Sequence, residues 1–163
     1  GSATRTSIFD YIGVPNFQGW TNNGKFDGEG LSKSEKELRS FYQNLLSFTI
    51  KSEALMGKYQ EIHYYNKDQN NTYDHRIFSF VRWTDNEQLI IISNFDTENQ
   101  YDIDLWIPQE IIASWGLEDG VFTIEDQLSN DDNQNMLKVE NGHGKIKIEL
   151  GPLDSHIYKL IKK

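Results

Sequence analysis

The chain of 163 residues contains no cysteine and only three prolines. Without cysteine it can form no disulfide framework, no thiolate zinc site and no cysteine nucleophile. Long hydrophobic runs are also lacking. The longest, Leu89 to Ile92, is far too short to span a bilayer.

Basic residues are scarce beside acidic ones, 16 against 25, which gives a net charge of −9. Such a surface repels phosphate backbones and anionic lipid, so we expect no nucleic-acid partner and no membrane partner. A neutral sugar polymer would be neither attracted nor repelled by this charge. Hydrophobic content of 37% and aromatic content of 13% predict a folded globular chain.

The first 30 residues show neither helical nor strand periodicity, and turn signals occur at Asn22-Asn23-Gly24 and Asp27-Gly28. A loop of this length is rare in a compact domain. It nevertheless contains several aromatic residues, namely Phe9, Tyr11, Phe17, Trp20 and Phe26. This composition predicts a segment that packs on another surface.

A helix follows. Ser32 and Glu35 form the pattern of a capping box at its start, and Gly57 closes the region. Apolar residues then recur at spacings of three and four, at Leu38, Phe41, Tyr42, Leu45, Leu46 and Phe48. The stripe is wide, which favours a helix held between two bodies, although an ordinary packed surface helix explains it equally well.

From Tyr59 onward apolar residues tend to alternate with polar ones, which is a period of two residues. The predicted strands are Tyr59–Tyr65, Arg76–Thr84, Gln88–Phe95, Tyr101–Ile107, Val121–Gln127, Met136–Glu140, Lys145–Leu150 and His156–Lys162. A short helical insertion is predicted over Pro108–Trp115. The fold class is therefore mainly β: an antiparallel eight-stranded β-sandwich of Greek-key type, preceded by a long loop and one amphipathic α-helix.

Three residue patterns could indicate a catalytic or metal-binding site, but each is better explained by a structural role. Asp102 and Asp104 lie two apart on one strand, but their apolar neighbours point inward, so a solvated face is expected rather than a catalytic pair. The polar run from Asn130 to Asn135 places Met136 where a calcium loop needs glycine. The four histidines share no ligand spacing, so we expect no metal and no cofactor.

Several short motifs resemble the end of the alpha-amylase family of glycoside hydrolases, family thirteen. The motifs, in chain order, are Thr6-Ser7-Ile8-Phe9-Asp10-Tyr11, Asn22-Asn23-Gly24-Lys25-Phe26-Asp27-Gly28, Leu38-Arg39-Ser40-Phe41-Tyr42-Gln43-Asn44-Leu45-Leu46, Glu53-Ala54-Leu55-Met56-Gly57, Phe78-Ser79-Phe80-Val81-Arg82, Asn94-Phe95 and Leu150-Gly151-Pro152-Leu153-Asp154-Ser155-His156-Ile157-Tyr158. Each motif is weak alone, but their order and spacing match that family.

The resemblance implies that residues 1–56 are the loop and last helix of an otherwise absent (β/α)8 barrel, and that residues 57–163 are the C-terminal β-sandwich domain. The family's catalytic carboxylates come from barrel strands that would precede residue 1, so no catalytic residue is assigned to this chain. The implied parent is an alpha-amylase-type hydrolase of α-glucans such as starch, glycogen or maltooligosaccharides. The implied partner is its catalytic barrel.

Exposed indole faces can stack on sugar rings, which makes Trp106, Trp115 and Trp20 candidates for carbohydrate binding. In the resembled family the loop after the last barrel strand borders the substrate cleft, which adds Arg5 and Tyr11. Burial in a core or a domain contact is the commoner situation for a tryptophan. An independent glucan-binding module is the alternative function, and an adhesion-type sandwich is a third.

With the barrel absent, the apolar stripe of the helix lacks a partner. Large exposed apolar patches seldom persist on monomers. We therefore expect the chain to self-associate through this stripe, formed by Leu38, Phe41, Tyr42, Leu45, Leu46 and Phe48, or the N-terminal loop to collapse onto it.

Overall fold

The computed structural model describes residues 14–69, 71–129 and 135–161. The chain divides into two compact units, Gly1–Leu46 and Ser47–Lys163. These units are defined by how compactly the chain packs. The predicted boundary between residues 56 and 57 is of another kind, because it separates the part that would belong to a barrel from the sandwich domain, and it stays a prediction.

The first unit contains a short helix where the sequence predicts a loop. Helix α1 (Pro15–Thr21) starts with proline at its first position, which suits the fixed φ of that residue. It ends at Asn22, whose φ of 39° is left-handed. Seven residues are too few to produce a helical periodicity, which explains why the pattern did not predict this helix.

The predicted capping box is present at the start of helix α2 (Lys33–Lys51). The Ser32 N–H donates to Glu35 Oε2 over 2.8 Å, and the Glu35 N–H donates to Ser32 Oγ over 3.3 Å. The Ser32 hydroxyl also donates to Glu35 Oε2 over 2.7 Å, and this bond, followed by the one from the Ser32 N–H, lowers the pKa of Glu35 because both stabilise its charged form. Lys51 lies in the last turn, where a cation complements the helix dipole.

Eight strands form one curled, all-antiparallel sheet, and this confirms the predicted fold class. They are β1 (Lys58–Glu61), β2 (Ile77–Trp83), β3 (Gln88–Asn94), β4 (Tyr101–Ile107), β5 (Gly120–Asp126), β6 (Asn135–Glu140), β7 (His143–Leu150) and β8 (Ser155–Leu160). Their order in the sheet is β1-β2-β3-β8-β5-β6-β7-β4. Strands β5, β6 and β7 are sequential neighbours and β4 returns beside β7, which is a Greek key.

The curled sheet encloses the hydrophobic core that the described residues form. Strand β4 illustrates the pattern, since Ile103, Leu105 and Ile107 are buried while Asp102 and Asp104 face outward. The fully buried large side chains include Ile77, Leu89, Ile90, Ile92, Leu105, Ile124, Leu137 and Ile146. Alternation therefore predicted the inner face of the sheet correctly.

Helix α4 (Gln109–Ser114) occupies the predicted helical insertion between β4 and β5. Ile111 and Ile112 are buried in the core, and Gly116 ends the turn with a φ of 68°. Within the described ranges, no helix has the length and apolar character that a membrane crossing requires.

The predicted strand Tyr59–Tyr65 is a strand only in its first half. β1 ends at Glu61, and helix α3 (His63–Gln69) follows. The Glu61 carboxylate accepts the Tyr64 N–H over 2.7 Å, which satisfies a backbone donor in the first turn of α3. Aromatic residues with high β-propensity thus lie in a helix, because this local bond and the burial of Asn66 decide the conformation.

Candidate functional site

The outer face of β2 carries large aromatic side chains. The inward residues Ile77, Ser79, Val81 and Trp83 are buried, and the residues between them face outward. Those outward residues are Phe78, Phe80 and Arg82, which belong to the motif Phe78-Ser79-Phe80-Val81-Arg82, called here the F-x-F-x-R motif. Polar residues usually occupy a solvated face. An aromatic outer face is therefore a candidate interaction surface.

The rings on this face form a continuous row. Tyr59 of β1 lies 5.6 Å from Phe80 between ring centroids, and Phe80 lies 5.9 Å from Phe78. His63 extends the row, 5.8 Å from Phe78 and 5.1 Å from Tyr64. Tyr59 is 53% exposed and Tyr64 is 65% exposed. We call Tyr59, His63, Tyr64, Phe78 and Phe80 the aromatic row.

Arg82, at one end of the aromatic row, holds the segment that follows α2. Its Nε donates to Ala54 O over 3.3 Å, and its Nη2 donates to Leu55 O and, over 3.3 Å, to Gly57 O. The guanidinium also lies 5.9 Å from the Tyr59 ring centroid. A planar guanidinium with several donors suits this binding of successive carbonyls. Arg82 therefore fixes residues 54–57, the segment that leads into β1.

Glu87 also binds the segment that follows α2. Its buried Oε2 accepts the Ser52 hydroxyl over 2.7 Å and the Ala54 N–H over 2.9 Å, and Lys159 Nζ lies 2.8 Å from Oε1. Burial opposes ionisation, but these donors outweigh it and hold the pKa of Glu87 below its ordinary value. Glu87 therefore stays charged while it anchors the end of α2.

Gly57 of the link motif has no room for a side chain. A Cβ placed there would lie 2.1 Å from the Trp83 carbonyl oxygen. The close approach of the two backbones, rather than a positive φ, explains the glycine. Met56, its neighbour, is 90% exposed.

Asn94, of the Asn94-Phe95 motif, joins two loops, the one after β3 and the one between β7 and β8. Its Nδ2 donates to Asn99 O over 2.9 Å and to Gly151 O over 2.8 Å, while its Oδ1 accepts the Asp96 N–H over 2.9 Å. Because the side chain is buried and fully bonded, its role is structural. Motif residues Arg82, Gly57 and Asn94 thus all stabilise connections.

His156 of the motif at residues 150–158 forms a partly buried pair with Asp126. His156 Nδ1 lies 2.6 Å from Asp126 Oδ2, and its Nε2 lies 3.4 Å from Asp154 Oδ2. Burial disfavours a charged imidazole, but the bond to Asp126 and the charges of both carboxylates raise the pKa of His156. Burial likewise opposes ionisation of Asp126, and the bond from His156 is the main reason that its pKa is lowered. Asp126 also accepts the Ile157 N–H over 3.2 Å, so the pair joins β5 to β8.

The predicted sugar-binding residues lie at separate places. Trp106 is half-buried on the outer face of β4, with Lys145 Nζ 5.2 Å from its ring centroid. Trp115 is 6% exposed and belongs to the hydrophobic core. Trp20, in the first unit, is half-buried with the Arg39 guanidinium 3.9 Å from its ring centroid. Arg5 and Tyr11 lie outside the described residues. Carbohydrate binding by these five residues stays a prediction.

Metal-ligating side chains do not gather anywhere in residues 14–69, 71–129 and 135–161. The polar run that resembles a calcium loop falls largely on residues 130–134, which are outside the described ranges. Sequence reasoning did not identify the aromatic row as a surface. The signal was available, since the stretch from Ile77 to Trp83 has Ile77 and Trp83 on one face of the strand and Phe78 and Phe80 on the other.

Comparison with known proteins gives a likeness of fold. No protein-family model matches the sequence, and no curated protein does. An AmyP variant solved in complex with maltotriose matches with a TM-score of 0.56 and 15% identity, over 85% of this chain and 24% of that one. An Anoxybacillus alpha-amylase, whose structure is described as giving insight into a new glycosyl hydrolase subclass, matches with a TM-score of 0.52 and 20% identity, over 85% and 26%. The chain thus spans about a quarter of each of these proteins.

Proposed function

We propose that this chain is the C-terminal region of an alpha-amylase-like glycoside hydrolase that acts on α-glucans. Its role is to support the catalytic barrel, and the catalytic carboxylates are contributed by the barrel. The likeness of fold to two amylase-type proteins more than three times as long supports this proposal. The order of elements in this chain, in which α1 and the amphipathic helix α2 precede the strands of the sandwich, is compatible with the order that the family resemblance implies.

The observation that supports the proposal is the exposed apolar stripe of α2. No residue of this 19-residue helix is buried. Leu38, Phe41, Tyr42 and Leu46 are each more than 40% exposed. In proteins most helical stability comes from packing an apolar face, so a helix with this stripe requires a partner. A barrel from the same parent chain meets that requirement.

The aromatic row supports the proposal independently. It gives the second unit an apolar outer face beside a link that Arg82 and Glu87 hold in one conformation. A fixed link suits a domain that must keep a constant position against a neighbour. Non-catalytic support of this kind needs surfaces rather than reactive groups.

The test is to express the protein from its complete gene and to measure hydrolysis of soluble starch and thermal stability. We expect starch hydrolysis, and we expect Phe41→Glu to lower the melting temperature by several degrees because it places a charge in the contact. Ser40→Glu, on the opposite side of α2, is the matched control and is expected to change neither value. A complete product without glycosidase activity would overturn the proposal.

A second candidate is an independent glucan-binding module, and the aromatic row favours it because exposed rings can stack on sugars. It predicts that the chain as given is retained by insoluble starch and that Tyr59→Ala together with Tyr64→Ala abolishes retention. The control is Tyr42→Ala, which removes an exposed tyrosine of the first unit. Retention that is unaffected by the double variant would exclude the row as a sugar platform.

A further inference from the structure

A polar groove lies in the second unit between the segment that follows α3 and the start of β4. It has a volume of about 580 Å³, and the residues that line it include Lys67, Asn71, Asp74, Gln100, Tyr101 and Asp102. This volume is within the range of pockets that bind small molecules. None of the motifs that suggest an amylase relationship lies in it.

Tyr101 is one of the residues that line the groove, and the position of its side chain is fixed. The Tyr101 hydroxyl donates to Asp96 Oδ2 over 2.7 Å and accepts from Arg76 Nη2 over 2.7 Å. Asp96 is itself held by Arg76 Nη1 at 2.7 Å and by the Glu98 N–H at 2.9 Å. The half-buried ring therefore has little freedom to turn. Burial and the bond to Asp96 raise the pKa of Tyr101 to about 12, so the hydroxyl stays protonated as this bonding requires.

Three polar side chains around this ring have no partner among the residues that the structure describes. They are Lys67 in the last turn of α3, Asn71 after it, and Asp102 on β4. Together they offer an ammonium donor, an amide that both donates and accepts, and a carboxylate acceptor. Their neighbours Asp74 and Gln100 are already bonded, to Arg76 and Glu149 respectively.

The charges around the groove define the ligand. Asp102 lies directly opposite Glu149 in the β4–β7 pairing, and like charges in that position destabilise a sheet. A ligand that donates hydrogen bonds would relieve this repulsion. Asp74 is already paired with Arg76, so among the described residues an anion at the groove would meet the unpaired carboxylate of Asp102, with Glu149 opposite it, and the unpaired ammonium of Lys67. A neutral molecule with many hydroxyl groups satisfies all of these groups.

We propose that this groove binds a neutral oligosaccharide, with one sugar ring stacked on Tyr101 and its hydroxyl groups bonded to Asp102, Asn71 and Lys67. The site is distinct from the tryptophans and from the aromatic row. The groove itself does not depend on the proposed function. Only the choice of a glucan as one of the test sugars rests on the proposed function.

The test follows backbone amide shifts of the ¹⁵N-labelled chain during titration with maltotriose and, in parallel, with cellotriose. We expect saturable shifts centred on residues 71–75 and 100–102 with at least one of the two sugars. Asp102→Ala and Lys67→Ala are each expected to weaken binding by about tenfold, since each removes a charged hydrogen-bonding group. Both side chains are exposed and unpaired, so the variants should fold normally.

Matched controls lie close by. Asp68→Ala removes a charge from the neighbouring position of α3, and Glu98→Ala removes one from the loop before β4; neither side chain lines the groove. We expect both to bind like the unmodified chain. No shift with either sugar up to about 10 mM, or shifts centred on Trp106 or on the aromatic row, would overturn the proposal. Failure here would leave the starch-hydrolysis assay unaffected, so the two proposals fail separately.

Discussion

The side-chain amide of Asn66 pairs with both backbone polar groups of Trp106. Its Nδ2 donates to the Trp106 carbonyl over 2.9 Å, and its Oδ1 accepts the Trp106 N–H over 2.7 Å. Strand β4 is an edge of the sheet, where unpaired backbone groups invite association with other chains. A buried asparagine from α3 therefore closes this position of the edge in the way that a neighbouring strand would.

Replacement of Asn66 by alanine should destabilise the second unit strongly. Asn66 is completely buried, and its removal leaves the backbone groups of Trp106 without partners. We expect the free energy of unfolding to fall by about 2–3 kcal/mol. Urea denaturation measures this loss. Asn86→Ala, which removes an exposed amide from a turn, should cost less than about 0.5 kcal/mol, and an equal loss in both variants would contradict the role assigned to Asn66.

Arg82→Lys should loosen the link between α2 and the sandwich. A lysine retains the charge but cannot donate simultaneously to the carbonyls of Ala54, Leu55 and Gly57. We expect a loss of about 1–2 kcal/mol in stability and faster cleavage by protease within residues 52–57. Lys58→Ala, an exposed change beside the same segment, serves as the control. Unchanged cleavage in Arg82→Lys would show that the link does not depend on this side chain.

The Asp126–His156 pair predicts a definite pH dependence of stability. The pKa of His156 is raised above its ordinary 6.5, so its contribution is complete below pH 6.5 and is lost as pH rises through the folded value. The pKa of Asp126 is lowered from 3.8, so its contribution is complete above that value and is lost as pH falls through the folded value. The pair therefore stabilises most between these two ordinary values.

The measurement compares urea denaturation of the unmodified chain and His156→Gln at pH 5.5 and pH 8.5. We expect the variant to be less stable by about 2 kcal/mol at the lower pH and by clearly less at the higher pH. His75→Gln is the control, because His75 is 70% exposed in its side chain. A difference between variant and unmodified chain that does not change with pH would refute the proposed coupling.

The stripe of α2 predicts self-association of the chain when it is alone. Exposed Leu38, Phe41, Tyr42 and Leu46 offer a contact that a second copy can cover. Sedimentation equilibrium should give a mass above 19.0 kDa that rises with concentration. Leu46→Glu should restore the monomer, whereas Ser40→Glu on the opposite side should not. A strictly monomeric unmodified chain would contradict the expectation.

Much of the fold followed from local patterns. The alternation Tyr101 to Ile107 predicted β4 with its correct bounds and inner face, because a strand with one buried side must repeat every two residues. Ser32 and Glu35 predicted the start of α2, since the capping box forms from backbone and side chains within four residues. The sheet order could not be read in this way. It depends on pairs such as β3 with β8, which are remote in sequence.

The sequence by itself determined the class of the fold, the helix start, the polar outer face of β4 and the acidic surface. Each of these depends on residues that are near neighbours in the chain. Only the tertiary structure decided that Tyr64 and Tyr65 lie in a helix, that Trp115 joins the core, and that Arg82 holds the link before β1. It alone also placed Lys67 and Asp102 at one groove. These outcomes depend on contacts between distant segments, whose energies outweigh the small intrinsic preferences of single residues.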